Sequence, residues 1–176
     1  MRLRLASTLA LFALPALSAT VRGPADIASL TARADVVVHA KVVGRASAWA
    51  GGSPKSGLIY TQVRLEPIEL WKGAPSSITV RVPGGAVGEI DQIVQGTAQF
   101  EPGEEVVVYL RQIVPGLFDV SHWALGKFTV GVGRRALRDR SGLSCVGCGG
   151  DEDDELPLAE LRFRTLRTLR ARSGRQ

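Results

Sequence analysis

Apolar and polar residues alternate over several short stretches of the chain, which is the pattern of β-strands. The clearest stretch is residues 35–45, where four apolar residues fall on one face: Val36, Val38, Ala40 and Val42. Its other face carries His39, which we expect to be a partly exposed strand residue, and we expect the same of His122. Five further stretches are predicted to be strands: residues 58–71, 77–82, 105–112, 118–125 and 127–132, the last two forming a hairpin around Gly126.

Helical spacing occurs at both ends of this strand-rich region. Residues 24–34 carry apolar side chains three to four positions apart, and Pro24 suits a first helical turn. Residues 156–172 carry a leucine stripe, with arginines toward the end that complement the helix dipole. The chain should therefore begin and end its folded part with a helix.

Six strands between two helices predict an all-β to α+β fold. The best match is a small antiparallel barrel of five to six strands, of the oligonucleotide- and oligosaccharide-binding (OB) type. Pro67 removes a ladder donor near the middle of residues 58–71, so this strand should bend or bulge there, or lie at an edge. A bent strand can serve two sides of a barrel, which favours the barrel over a two-sheet sandwich, the alternative architecture.

The N-terminus has the order of residues found in a secretory signal peptide, which we assign to residues 1–19. A basic start precedes an apolar run, residues 5–14, that is too short for the roughly 20 residues needed to span a bilayer. Small residues then lead to a predicted cleavage site near Ser18 or Ala19. We expect a secreted or periplasmic protein with no transmembrane segment once the signal is removed.

Composition divides the remaining chain into three parts. The OB-like barrel is assigned to residues 20–133. Residues 134–155 are rich in glycine and then acidic, which is typical of a linker. Residues 156–172 form the C-terminal helix, which is expected to pack on the barrel.

The charge of the chain does not indicate a nucleic-acid partner. The net charge is +5, and removal of Arg2 and Arg4 with the signal leaves +3. Arginine outnumbers lysine, a bias that the coding composition of the genome explains. A mildly basic exported chain seldom meets nucleic acid, so another extracytoplasmic protein is the predicted partner.

Short sequences in the strand-rich region resemble the netrin-like module of the tissue inhibitors of metalloproteinases: residues 34–42, Ile59-Tyr60 and Leu70-Trp71-Lys72-Gly73. The resemblance covers residues 24–132. It implies a helix, a five-stranded OB-type barrel, a C-terminal helix and a protease-related binding role. The inhibitory mechanism does not carry over, because those inhibitors chelate the protease zinc through a mature N-terminal cysteine and the first cysteine here is Cys145.

A second resemblance is to a group of secreted bacterial proteins that carry a set of short motifs in the same order: Tyr60-Thr61, Lys72-Gly73, residues 82–85, Gly103-Glu104 and residues 126–128.

Cys145 and Cys148 are the only cysteines, and we favour a disulfide because paired cysteines in exported proteins are usually oxidised. A thiol redox site is an alternative, although such sites open a helix and this pair lies in a glycine-rich loop. A metal site is another, but zinc would need two further ligands. His39 and His122 are the only histidines available.

No nucleophile elbow, phosphate-binding loop or zinc-protease motif is present, so we predict no catalytic residue, no cofactor and no metal. The sequence favours a non-catalytic protein-binding module. Candidate partner contacts lie in the two loops 47–57 and 83–88: Trp49, Pro54, Pro83, Gly84 and Gly85. Oligosaccharide binding is a second alternative, which an aromatic content of only 6% disfavours.

Overall fold

The structure is a computed structural model that describes residues 19–138, 140, 142–148 and 153–174. Apart from Ala19, the predicted signal peptide lies outside the described residues. Within the part of the chain that the structure describes, no helix is both long enough and apolar enough to cross a bilayer.

The described residues form two helices and twelve strands. The helices are α1 (Ile27–Arg33) and α2 (Leu158–Ser173). The strands are β1 (Ala19–Arg22), β2 (Val36–Trp49), β3 (Ile59–Lys72), β4 (Ile78–Pro83), β5 (Gly85–Val87), β6 (Ile90–Gln92), β7 (Glu105–Val114), β8 (Leu117–Val120), β9 (Lys127–Gly131), β10 (Arg135–Arg138), β11 (Leu143–Val146) and β12 (Glu155–Pro157).

Eight strands form one mixed sheet in the order β12-β10-β9-β7-β2-β3-β4-β8, and β8 also pairs with β7. The pairings therefore connect β2, β3, β4, β8 and β7 in a closed ring. The expected β-rich fold with a C-terminal helix is confirmed. The main sheet has eight strands, more than the predicted five to six. It is mixed and not purely antiparallel, because β8 runs parallel to β4.

β2 is the strand on which the sheet is built, since it pairs antiparallel with both β3 and β7. His39 lies opposite Glu69 in the ladder with β3. The next residue, Ala40, lies opposite Pro67, so Ile68 is skipped. The predicted irregularity at Pro67 is confirmed, and its cause is the missing proline N–H.

Two apolar clusters cover the two faces of β2. The first fills the space enclosed by the ring of strands and includes Val36, Val38, Val63, Val80, Val108, Leu110 and Phe118. The second lies beneath α1 and α2 and includes Ile27, Leu30, Val37, Trp71, Tyr109, Phe128 and Leu161. His39 lies on the face beneath the helices and is only 4% exposed, so the expectation that it is exposed was wrong.

α2 is fastened to the sheet by polar contacts as well as by its leucines. The buried hydroxyls of Tyr109 and Thr165 are 2.7 Å apart. The Arg162 guanidinium donates to the Glu69 carboxylate, which also accepts a hydrogen bond from Trp71 Nε1 at 2.9 Å. The hydrogen bond from Arg162 lowers the pKa of Glu69 below its ordinary value.

Several element boundaries differ from the sequence predictions. α1 begins at Ile27 after the N-cap Asp26, whose carboxylate accepts the Ser29 N–H at 2.9 Å, so Pro24 precedes the helix. The C-terminal helix begins at Leu158, because Leu156 instead pairs with β10 in strand β12.

The predicted hairpin around Gly126 is wrong. β8 pairs with β4 and β7, whereas β9 pairs with β7 and β10. A 3₁₀ turn, Trp123–Gly126, separates the two strands. Residues 134–155, which we expected to be a linker, contribute β10 and β11.

Candidate functional site

A groove of about 950 Å³ lies between β1, the ends of β4, β7 and β8, and the turn after β8. Seven of the residues that line it are basic or aromatic: Arg22, Arg33, Tyr60, Arg81, Arg111, His122 and Trp123. We call it the arginine groove. Elements that are distant from one another in sequence converge here, so no local pattern marks the site.

One wall of the arginine groove is β1, which pairs in parallel with β11 and with no other strand among the described residues. The N–H of Ala19 donates to Gly142 O at 3.1 Å, and the N–H of Gly23 donates to Val146 O at 3.1 Å. Backbone groups of successive strand residues point to opposite edges. Those of Thr20 and Arg22 therefore point away from β11, and both residues line the groove.

The opposite wall contains an unusual turn. His122 and Trp123 are adjacent residues with positive φ, 57° and 58°, which costs a residue with a side chain about 1 to 3 kcal/mol. The preceding residue anchors the turn, because the Ser121 N–H donates to Tyr109 O at 2.8 Å. Gly126 packs against the same residue, since a Cβ there would lie 2.0 Å from Ser121 O. Left-handed residues held in this way are typical of functional sites.

His122 is neutral in this arrangement. Arg33 Nη1 lies 2.5 Å from His122 Nε2, and a guanidinium can only donate, so Nε2 must be the acceptor. Partial burial, followed by the charges of Arg33 and Arg111, lowers the pKa of His122 below its ordinary value. Trp123 beside it is 46% exposed.

Two arginines of the groove already have partners, Arg33, which donates to Pro24 O and to His122, and Arg81. Arg81 donates two hydrogen bonds to the Asp119 carboxylate, at 3.1 and 3.0 Å, and its guanidinium lies 4.9 Å from the centre of the Tyr60 ring. The hydrogen bond to Asp119 raises the pKa of Arg81. The positive charge of Arg81 therefore offsets the negative charge of Asp119 within the groove.

Arg22 and Arg111 differ from Arg81 because neither side chain is bonded to an acceptor in the described part of the chain. Both are exposed and line the groove. Two guanidinium groups are thus free to bind a carboxylate or another anion.

Ser121 adds a polar group that has no partner. The residue is 1% exposed and lines the groove, and its hydroxyl makes no hydrogen bond with the described residues. Buried hydroxyls are almost always paired in folded proteins. The Ser121 hydroxyl can therefore hydrogen-bond a group that enters the groove.

Three of the five candidate contacts predicted from the sequence line a second cavity of about 770 Å³, and Trp49 and Pro54 do not. Pro83, Gly84 and Gly85 line this cavity, and Pro83 also lines the arginine groove. Trp49 is the last residue of β2 and is half-buried opposite Ile59, whereas Pro54 is exposed in the following turn. Trp49 is therefore a strand residue and does not lie at the tip of a mobile loop.

The two loops that carry these residues lie side by side. The Gly84 N–H donates to the carbonyl oxygen of Ile59, the residue opposite Trp49. A Cβ on Gly85 would lie 2.2 Å from Thr61 Oγ1 and 2.5 Å from Ser47 Oγ. Close packing explains the glycine at position 85 without a ligand.

The predicted disulfide between Cys145 and Cys148 is confirmed. Cys148 is 5% exposed and packs with Ala25 and Leu125. The Ala25 N–H also donates to Cys148 O at 3.1 Å, so the disulfide-bearing segment is attached to the chain that follows β1.

Within the described residues, no group of three or more histidine, cysteine, aspartate or glutamate side chains is arranged to hold a metal ion. His39, one of the histidines considered as a ligand, instead lies with Nε2 2.5 Å from Glu105 Oε1. Burial is the largest single influence on Glu105 and raises its pKa, but the interactions with His39 and Arg134 together outweigh burial, so the pKa lies below its ordinary value.

Sequence reasoning missed the arginine groove. The arginines were attributed to genome composition, and His122 was expected to be an ordinary strand residue. No family model matches the chain, and a search of curated proteins finds none that is similar to it. The functional argument therefore depends on the geometry of the groove.

Proposed function

We propose that this protein is a non-catalytic binding module that is exported from the cytoplasm and binds another protein in the arginine groove. The observation that carries this proposal is the combination of Arg22 and Arg111, both without partners, with the exposed Trp123 on a strained but anchored turn. Arginine and tryptophan are the residue types that dominate binding energy in protein interfaces.

The ring of five strands supports the same proposal. We propose that β2, β3, β4, β7 and β8 form a barrel of the OB type and that the netrin-like resemblance reflects this architecture. The arginine groove borders Tyr60 of β3 and Arg81 of β4, the second and third strands of the ring. Those two strands carry the binding face in OB-type barrels.

Export is proposed from two features. The N-terminal sequence has the order of a signal peptide, and the cysteine pair is oxidised, as is usual outside the cytoplasm. Because Pro83 lines both cavities, the loops 47–57 and 83–88 are proposed to extend the contact surface beyond the arginine groove.

A capture experiment tests the proposed function. The immobilised mature protein is incubated with extracytoplasmic proteins of the source organism, in parallel with the variants Trp123→Ala and Phe163→Ala. Phe163 is the matched control, because it is a 56% exposed aromatic residue on α2. We expect at least one protein to be retained by the wild type and by Phe163→Ala, and to be lost with Trp123→Ala. Retention of the same proteins by the wild type and both variants, or retention of no protein by the wild type, would contradict the proposal.

A further inference from the structure

β1, whose residues Thr20 to Arg22 line the arginine groove, has one edge that no described strand covers. The backbone N–H groups of Ala19, Gly23 and Ala25, all at odd-numbered positions, donate to carbonyl oxygens of residues 142–148, the segment that contains β11. The N–H and C=O groups of Thr20 and Arg22 therefore point to the other edge, where no described strand lies. An open strand edge can pair with an extended peptide, and the main-chain hydrogen bonds then provide the affinity.

The charges around this edge determine which peptide fits. Arg22 lies on the edge strand itself, and Arg111 lies on β7 and lines the same groove. Asp119, also in the lining, is already bound to Arg81. The unpaired charge of the groove is thus positive, and the carboxylates of a protein form strong, often bidentate hydrogen bonds with guanidinium groups.

We propose that the arginine groove accepts an extended acidic segment of the partner protein, which adds to β1 as an additional strand. This inference rests on the proposed function, because it names the part of the partner that enters the groove. Main-chain groups of the segment pair with Thr20 and Arg22. Side chains at every second position lie on one face, so carboxylates there reach Arg22 and Arg111 while the remainder of the segment packs against Trp123.

Synthetic peptides test this inference directly. The probe is a fluorescent peptide of about eight residues in which glutamate alternates with valine, which spans roughly 26 Å as a strand. The first comparison peptide replaces each glutamate by glutamine. The second keeps the glutamates but carries N-methyl groups on alternate amides, which removes the main-chain donors that strand pairing requires.

We expect the acidic peptide to bind and both comparison peptides to bind at least tenfold more weakly. Arg111→Gln should weaken binding of the acidic peptide at least tenfold, whereas Arg170→Gln, the same change of charge on the exposed surface of α2, should not. In amide hydrogen exchange, the acidic peptide should slow the exchange of the Arg22 amide. Equal binding of the N-methylated peptide, or of heparin as a polyanion without peptide groups, would overturn strand addition.

The outcomes also separate this inference from the proposed function. If the capture experiment yields a partner that depends on Trp123 but the acidic peptide does not bind, the inference is wrong and the proposed function stands. If neither a partner nor a peptide is bound, both are wrong.

Discussion

At the scale of single residues, the conformation of His122 and Trp123 is the feature that sets this chain apart. An L-residue with positive φ brings its Cβ close to the backbone carbonyl, at a cost of roughly 1 to 2 kcal/mol that glycine does not incur. Sequence gives no sign of this, because both residues ordinarily favour extended or right-handed backbone. Tertiary contacts impose this conformation: the Ser121 N–H bonds to Tyr109 O, and Gly126 packs against Ser121.

The first prediction uses this conformation at Trp123. Trp123→Gly should be more stable than Trp123→Ala by about 1 kcal/mol, because only alanine retains the left-handed penalty. The control is the exposed helical residue Ala28, where Ala28→Gly should instead cost about 1 kcal/mol. Urea unfolding of the three variants measures these differences. An alanine variant at position 123 as stable as the glycine variant would show that the turn is not left-handed.

The second prediction concerns His122 and pH. Burial and the charges of Arg33 and Arg111 lower its folded-state pKa, so the unfolded chain takes up the proton at a higher pH than the folded protein does. The contribution of His122 to stability is therefore complete above pH 6.5 and is lost as the pH falls toward the lowered pKa. The other charged residues that line the groove are Arg22, Arg33, Arg81, Arg111 and Asp119.

Replacing His122 by asparagine, which tolerates the left-handed conformation, isolates this effect. The decrease in melting temperature between about pH 7.5 and 5.5 should be smaller for His122→Asn than for the wild type. The carboxylates with lowered pKa values, Asp26, Glu69 and Glu105, lose their contribution at lower pH and should not interfere. An unchanged pH dependence in the variant would show that His122 is not the titrating group.

At the scale of elements, the sequence predicted the strands that have a strong apolar pattern and missed those that lack one. β2 and β7 each contain a run of five buried residues, and buried residues alternate with more exposed ones in β4 and in part of β3. Pro67 marked the irregularity between β2 and β3. β1, β10 and β11 are four residues each and half exposed, so their pairing depends on distant backbone that no local window contains. The arginine groove was missed for the same reason, because β1 forms one of its walls.

The third prediction concerns the disulfide that supports β1. Removing the cross-link with Cys145→Ala and Cys148→Ala together should cost about 2 kcal/mol by the chain-entropy estimate for so short a loop. The effect should be local, because β1 has β11 as its single partner strand among the described residues. Amides of Gly23 and Ala25, which donate to the 142–148 segment, should exchange faster with solvent, while amides in the β3–β4 pair serve as the internal control. Uniform acceleration in both regions would contradict a local role.

At the scale of the whole molecule, β2 joins the two apolar clusters because both of its faces are buried. Val37 packs beneath the helices and Val38 packs inside the ring of strands, and both are 0% exposed. Periodicity alone predicted one buried face, so His39 was assigned to solvent. The C-terminal helix, although predicted, was not expected to cover that face. A strand shared by two clusters should couple their unfolding, so that neither unfolds without the other.

The fourth prediction tests this coupling through Leu161, which is fully buried beneath α2. Leu161→Ala should lower the free energy of unfolding by about 2 to 5 kcal/mol, the cost of the lost contacts and the cavity. Phe163→Ala on the same helix should cost less than about 1 kcal/mol, since its side chain is 56% exposed. Urea unfolding should be followed by far-ultraviolet circular dichroism and by tryptophan fluorescence, because Trp71 lies beneath the helices and Trp123 lies beside the ring. Coincident transitions in Leu161→Ala would mean that β2 transmits the loss at the helices to the ring, whereas two separate transitions would show that the clusters unfold independently.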